Sequence, residues 1–355
     1  MTKTSFSWKP SAVVSPLARR PVVEMLARFR TPCHGAALAL LAFDSALYWV
    51  TWWALLSVEQ PLLRLALGIP CGLIAGRLFI LGHDACHGSA FRLGWLNQLI
   101  GRIAFLPALT PFSTWELGHN SLHHGFTNLR GKDYSYAPFT KCEFDRLPEW
   151  RQLLERIYRN PWGPGFCYAI EIWWKKLWFP TQAAVGRRNW KYTADSLLCS
   201  AFLAAQIAAS VVWAHRHGSS AAAAVLFAVV LPQLVWNGLM GFVTFQHHTH
   251  PSAVWFDDRR RWNPLASQLE NTVHVEFPWL VGLLLANSME HTAHHVDTKI
   301  PLFRLAEAQQ MLEKEFPSQV IVQPWSWREY ARCCRICKLY DYERQRWLDF
   351  DGQPS

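Results

Sequence analysis

Charge is scarce in this sequence. Asp, Glu, Lys and Arg make up 17% of the 355 residues, against 51% hydrophobic residues. A disordered chain needs the reverse balance and a fibrous protein needs a short period, so both classes are excluded. The nine cysteines, at 33, 71, 86, 142, 167, 199, 333, 334 and 337, are odd in number and irregular in spacing, which excludes a disulfide framework. Cys333, Cys334 and Cys337 form one C-C-x-x-C, without the second ligand pair of a zinc site. The first 32 residues carry six Lys/Arg and no apolar core of leader length, so no cleaved leader is expected. No internal repeat occurs, and no low-complexity stretch beyond the alanines at 221–224.

Long apolar runs are present instead. A span needs about 20 mostly apolar residues. Gly35–Leu56, Pro61–Gly82, Ser196–Ala214 and Ala221–Phe245 all qualify, and they pair into two hairpins through the short links Ser57–Gln60 and His215–Ser220. The formal net charge is +9. With such runs in the chain, the partner of that charge is a membrane face and not a nucleic acid. The positive residues sit before the first span (Lys3, Lys9, Arg19, Arg20, Arg28, Arg30), between the hairpins (Arg187, Arg188, Lys191) and after the last span (Arg259, Arg260, Arg261), while the links hold only Arg216. Both termini and both large polar regions are therefore expected on the cytoplasmic side. The reading divides the chain into a cytoplasmic segment 1–34, a membrane domain 35–310 with a cytoplasmic cap, and a cytoplasmic tail 311–355.

Three further features bear on the membrane. Pro161–Pro180 packs seven aromatic residues around Lys175 and Lys176, as a segment in the headgroup layer would. Phe277–Met289 is apolar but too short to span. Gly72 and Gly76 form one G-x-x-x-G, which allows close helix packing and often arises by chance. Asp44 falls inside the first span, where a carboxylate is costly, and a hydrogen bond facing the bundle is expected.

Histidine carries the chemistry. Eight of the 15 histidines fall in three tight groups: His83 and His87 in H-D-A-C-H; His119, His123 and His124 in H-N-S-L-H-H; and His291, His294 and His295 in H-T-A-H-H. On an α-helix, residues three or four apart share a face, so His83 can point with His87, His119 with His123, and His291 with His294 or His295. His124, about 100° further round, reaches a neighbouring point of the same site. Imidazole suits Zn, Cu, Fe and Ni, and eight rings are too many for one ion. Two ions, each with several imidazoles and an open position, fit the pattern. All three groups follow span ends on the same side, so the site is expected at the membrane surface. A transporter would hold its ligands near the bilayer midplane instead.

At these residues the chain resembles the membrane fatty acid desaturases, which carry boxes of the form H-x(3–4)-H, H-x(2–3)-HH and H/Q-x(2–3)-HH. The flanks HDACHGSAF (83–91), HHGFTNLRGKDYSYAPF (123–139), FVTFQHHTHP (242–251) and EHTAHHVDTKIPLFRL (290–305) resemble the omega-6/omega-3 acyl-lipid branch, its bacterial members above all. The resemblance implies an all-α integral membrane protein, with about four transmembrane helices in two hairpins and a cytoplasmic helical cap holding a dimetal site. It implies two iron ions, with O2 as co-substrate, on His83, His87, His119, His123, His124, His291, His294 and His295. A ninth ligand is expected at His248, with His250 the second choice; His247 stands where the family has Gln. Thr244 stands where the acyl-CoA branch has an Asn. Asp84, Asn287, Glu290 and Asp297 flank the boxes, and carboxylates there commonly orient metal-bound imidazoles. His34, His215, His217 and His274 are left outside the site.

The implied reaction is O2-dependent insertion of a C=C bond into a long acyl chain carried as acyl-lipid, acyl-CoA or acyl-ACP. Related outcomes of the same chemistry are hydroxylation, acetylenation and carotenoid ketolation. No H-P-G-G signature occurs, so electrons are expected from a separate ferredoxin or cytochrome b5 type carrier. Such an acidic carrier would dock on the basic face that includes Arg187–Arg188 and Arg259–Arg261. The flanks imply a multi-pass protein of a bacterial inner membrane.

Overall fold

The computed structural model describes residues 19–181, 185–186 and 189–355. Lys3, Lys9, Arg187 and Arg188, on which part of the orientation argument and the carrier-docking expectation rest, lie outside the described residues.

Helix α1 (Arg19–Leu26) leads into α2 (His34–Ser57) and α3 (Pro61–His87). Pro61 opens α3, where its fixed φ suits a first turn and its missing N–H costs nothing. Gly88, at φ 67°, ends α3 in the left-handed conformation that a side chain would resist. Next come the cap helices α4 (Gly94–Phe105), α5 (112–123), α6 (Lys141–Arg146), α7 (Glu149–Tyr158) and α8 (163–178). The second hairpin is α9 (Trp190–Arg216) and α10 (Ala221–His248). Ser220 caps α10 by accepting from Ala223 N. A π-turn at Leu226–Val230 precedes Pro232, relieving the clash and lost hydrogen bond that a proline imposes inside a helix.

Helices α2, α3, α9 and α10 are 24, 27, 27 and 28 residues long and apolar enough to cross a membrane. At about 1.5 Å per residue, α3 and α10 exceed the roughly 30 Å hydrocarbon layer. Their last turns hold His83, His87, His247 and His248. The second span is thus longer than the expected Pro61–Gly82, and the first histidine box sits on the spanning helix itself.

The glycine motif proves real and longer than two residues. Gly68, Gly72 and Gly76 line one face of α3 against α10. A Cβ built on Gly72 would lie 2.6 Å from the carbonyl oxygen of Pro232, and one on Gly68 2.3 Å from a Leu231 methyl. Asp44 is fully buried, as expected of a bundle-facing carboxylate. Its partner is a charge: Arg77 Nε lies 3.1 Å from Asp44 Oδ1, and Arg77 Nη1 donates to the carbonyls of Leu283 (2.8 Å) and Leu284 (3.1 Å).

The chain continues through α11 (Pro264–Glu270), strand β1 (Val273–Glu276), α12 (Trp279–Leu284), α13 (His291–Val296), α14 (Leu305–Glu315), β2 (Ile321–Pro324), α15 (Trp327–Ile336) and the hairpin β3 (Leu339–Asp341) and β4 (Arg346–Leu348). The fold is mostly helical; among the described residues the strands form only two short ladders, parallel β1–β2 from Val273↔Ile321 and antiparallel β3–β4. Residues after 310 are built into the cap and are not a tail: Tyr330 Oη donates to Pro161 O at 2.6 Å and Tyr342 Oη to Pro138 O at 2.7 Å.

Three apolar outer faces extend beyond the spans. The 161–180 segment has Trp162, Phe166 and Trp174 exposed, with Tyr168, Leu177 and Trp178 turned inward. Helix α4 exposes Trp95, Leu99 and Ile103, and α12 exposes Trp279, Leu280, Leu283 and Leu284. Such faces suit the headgroup boundary.

Candidate metal centre

Each histidine group is held at a helix terminus. The last turns of α3 present His83 and His87. The segment after the third box clamps that helix end: Lys299 Nζ donates to His87 O at 2.6 Å, and Leu302 N donates to Asp84 Oδ2 at 2.6 Å. The second box lies on a π-helical stretch, Glu116–His123. His124 N donates to His119 O at 3.0 Å, an i→i+5 bond. This wider turn overrides the α-helical spacing assumed from sequence. His119 pairs with His124, five residues on, and His123 turns toward a different cluster. The third box, on α13, divides likewise, with His291 and His295 together and His294 apart.

Two clusters result. His83, His87, His119, His124 and His294 form one; His123, His248, His291 and His295 form the other; within each, one nitrogen per ring lies within 4.8 Å of all the others. All nine rings expected from sequence are brought together here. In the first cluster His119 Nε2 meets His83 Nε2 at 2.7 Å and His124 Nε2 at 3.0 Å, and His124 Nε2 meets His294 Nε2 at 3.1 Å. In the second, His248 Nε2 meets His123 Nε2 at 3.0 Å and His291 Nε2 at 2.9 Å.

This donor set fits metal ions. A neutral imidazole nitrogen carries one proton or one lone pair, so His119 Nε2 and His124 Nε2 cannot each serve two nitrogen neighbours by hydrogen bonding. Lone pairs converging on a shared point are what a cation satisfies. His87 Nε2 and His295 Nε2 are buried with no hydrogen-bond partner at all. Burial first, and then the neighbouring rings, hold His119, His124, His291, His294 and His295 well below the usual imidazole pKa. They are therefore neutral at pH 7, the ligating form.

Two of the outward nitrogens, on His123 and His295, have partners that the sequence reading missed. Asp133 Oδ1 lies 2.8 Å from His123 Nδ1, and it also accepts from Ser135 N and Oγ; Asp133 Oδ2 accepts from Asn128 N at 2.8 Å. Thr127 Oγ1 donates to His123 O at 2.9 Å and lies 3.2 Å from His295 Nδ1. With its own proton so used, Thr127 accepts from Nδ1–H, which leaves the His295 Nε2 lone pair free. The only signal of these partners was the T-N-L-R-G-K-D run, which places a carboxylate ten residues past His123.

Three of the four residues expected from sequence to orient the rings are engaged elsewhere, and the fourth, Glu290, has its Oε2 buried without a partner. Asp84 Oδ1 lies 3.9 Å from His83 Nδ1, beyond hydrogen-bond reach. Asn287 Nδ2 donates to Leu302 O at 3.0 Å. Asp297 pairs with Arg30 at 2.6 Å. Glu290 precedes α13, and burial raises its carboxyl pKa. Asp84, Glu290 and Asp297 stand at helix ends, where a position next to a box in sequence says little about where a carboxyl points. His247 stacks on His291 with centroids 3.6 Å apart but joins neither cluster, and His250 lies outside both. Of the remainder, His274 pairs with Glu313 at 2.5 Å and His217 stacks on Trp213 at 4.0 Å.

An apolar cavity of about 110 Å³ runs up to the rings of both clusters, with Phe79, Trp115, Trp236, Leu239, Met240 and Val243 among its walls. The arrangement sets two histidine clusters that could hold metal ions against one apolar cavity.

Residues 59–327 match the family model described as Fatty acid desaturase. The chain is similar to the sn-1 oleoyl-lipid 12-desaturase of Picosynechococcus sp., 30% identical over 291 residues, covering 82% of this chain and 81% of the relative. It is similar to the protein of the same description from Synechocystis sp., 29% identical, covering 75% of this chain and 72% of the relative. It is also similar to the chloroplastic omega-6 fatty acid desaturase of Glycine max, 26% identical, covering 75% of this chain and 60% of that relative.

Proposed function

The chain belongs to the fatty acid desaturase family and is an oxidoreductase, and from that premise we propose that it places a further double bond in a monounsaturated acyl chain of a membrane glycerolipid. The observation that carries this reading is the pair of histidine clusters set at the inner end of an apolar cavity. The cyanobacterial relatives named for oleoyl-lipid point to the substrate class.

An unactivated alkyl C–H bond is not acidic, so no side chain here can remove it. Two iron ions, held by His83, His87, His119, His124 and His294 on one side and by His123, His248, His291 and His295 on the other, would supply that oxidising chemistry with O2. The balance is one C–C single bond converted to C=C, with two hydrogens from the chain, two electrons and two protons taken up, and O2 leaving as two waters. The protein's own residues bind, orient and dry the substrate. Phe79, Trp115 and Trp236 form an apolar wall along the alkyl chain. Asp133 and Thr127 hold His123 and His295 in one tautomer.

The electrons come from a separate acidic one-electron carrier, of ferredoxin or cytochrome b5 type, docking on the basic side. The cap, the site and both termini face the cytoplasm, a placement that the charge asymmetry supports, and the membrane is a bacterial inner membrane.

The test is gas chromatography–mass spectrometry of acyl chains, with double bonds located by derivatisation. A host expressing the chain with a ferredoxin system is compared with one expressing His123→Ala. A new diunsaturated acid that the variant does not make supports the reading. A hydroxyl or keto product, or an unchanged acyl profile from iron-loaded protein, overturns it.

A further inference from the structure

A second, smaller cavity of about 50 Å³ adjoins the first. The two share Ser135, Tyr168, Ile172, Thr244 and His248 as walls, so they adjoin beside His248 of the second histidine cluster. The second cavity is also walled by Tyr158, Arg159 and Pro164, where α7 meets α8. The outer faces of these helices expose Trp150, Leu153, Trp162 and Phe166, an apolar surface suited to the headgroup layer.

Arg159 is the unusual wall. It is 4% exposed, and its Nη2 has no hydrogen-bond partner. Its Nε donates to Tyr136 Oη at 3.1 Å and lies 3.4 Å from Glu155 Oε1, and the guanidinium covers the Tyr136 ring at 3.5 Å. A buried guanidinium N–H without an acceptor is costly, and nothing in the histidine site uses it.

Resting on the glycerolipid reading above, we propose that Arg159 Nη2 binds the ester carbonyl oxygen of the acyl substrate and fixes how far the chain reaches past the His123–His248 cluster. The carbonyl enters at the α7–α8 junction, and the alkyl chain passes Tyr168 and Thr244 into the main cavity. Arg151 stands beside the same carboxylate, with its Nη1 at 3.4 Å from Glu155. A neutral ester carbonyl, the group that the glycerolipid reading supplies, accepts from Nη2 without adding a buried charge.

The experiment compares an ester-linked and an ether-linked monounsaturated glycerolipid at pH 8, with the wild-type chain, Arg159→Met and Arg159→Lys, all iron-loaded with a ferredoxin system. The ether lipid has the same alkyl chain and no carbonyl. A carbonyl held by a charged donor predicts a KM about tenfold or more higher for the ether lipid with the wild type. Arg159→Met raises KM for the ester to a similar degree, leaves the ether unchanged, and yields double bonds at more than one position. Arg159→Lys restores part of the loss. Equal KM for ester and ether with the wild type overturns the inference even if Arg159→Met does not fold. So does an Arg159→Met effect of the same size on both lipids, which would mark Arg159 as merely structural. If the wild type forms no C=C in either lipid, the glycerolipid reading fails and takes this inference with it.

Discussion

Asp133 Oδ1 lies 2.8 Å from Nδ1 of His123, and the opposite nitrogen of the same ring lies 3.0 Å from His248 Nε2. The carboxylate and the candidate metal position are thus on opposite ends of one imidazole. A carboxylate at Nδ1 keeps the proton there and directs the Nε2 lone pair inward.

Replacing Asp133 by Asn tests that geometry with little change of volume. Loss of such a partner typically weakens metal binding about 10–100-fold. Iron per chain, measured by elemental analysis during titration with a chelator, should fall earlier for Asp133→Asn than for the wild type. Retention of iron equal to the wild type would remove Asp133 from this role.

The split of the histidines shows what sequence does and does not carry. The nine rings were legible because their side chains are chemically unusual in such numbers and grouped at short spacing. Their division into five and four was not. It depends on the π-turn at Glu116–His123, and no residue there marks a widened turn. The spans were legible from apolar length, but their extension to His87 and His248 was not, because histidine ends an apolar run without ending a helix. Asp133 escaped notice because it reaches His123 by a loop through Asn128, at φ 60°, and not along a helix face. Asp84 and Asp297 looked better placed by spacing and turn out to bind backbone and arginine, and Glu290 Oε2 is buried without a partner.

Gly72 fixes the approach of the two parallel spanning helices. A Cβ there would lie 2.6 Å from the Pro232 carbonyl oxygen, which is backbone and cannot swing aside. Gly72→Ala should therefore destabilise the protein by about 1–3 kcal/mol, the usual cost of overpacking. Gly238, on the partner helix, has nothing within 4 Å of its Cβ position. Gly238→Ala should be neutral or stabilising by about 0.5–1 kcal/mol through the unfolded chain's lost freedom. Melting curves in detergent check both; equal effects at the two positions would refute the packing argument.

Asp44 and Arg77 form a buried pair within the spans, with side-chain exposures of 0% and 19%. Breaking such a pair from one side leaves an uncompensated charge and costs about 3–5 kcal/mol, whereas removing both partners costs much less. Asp44→Asn and Arg77→Met should each lower the melting temperature strongly, and the double variant should be more stable than their summed effects imply. Additive losses would show that the pair is not coupled. Arg77 also holds the carbonyls at 283 and 284, so Arg77→Met should additionally speed hydrogen exchange in α12.

The histidine-rich cap sets a pH dependence whose sign can be worked out. Six rings outside the spanning helices (His119, His124, His250, His291, His294 and His295) have folded pKa values below the ordinary 6.5, mainly through burial. Between the folded and ordinary values, the unfolded chain binds more protons than the folded one. Stability is therefore full above about pH 7 and is lost as pH falls, at about 1.4 kcal/mol per pH unit for each ring. Glu155, Glu270 and Glu290 act oppositely, because burial raises their carboxyl pKa from 4.5. Six against three leaves a net loss on acidification. The metal-stripped chain should melt at a constant temperature from about pH 9 to 7.5 and at steadily lower temperature from about 7 to 5. Added iron should raise the melting temperature most at the upper end, since protons and metal compete for the same lone pairs. A flat profile from pH 8 to 5 for the stripped chain would mean that the rings are protonated within the fold, and so not the neutral ligand set the geometry describes.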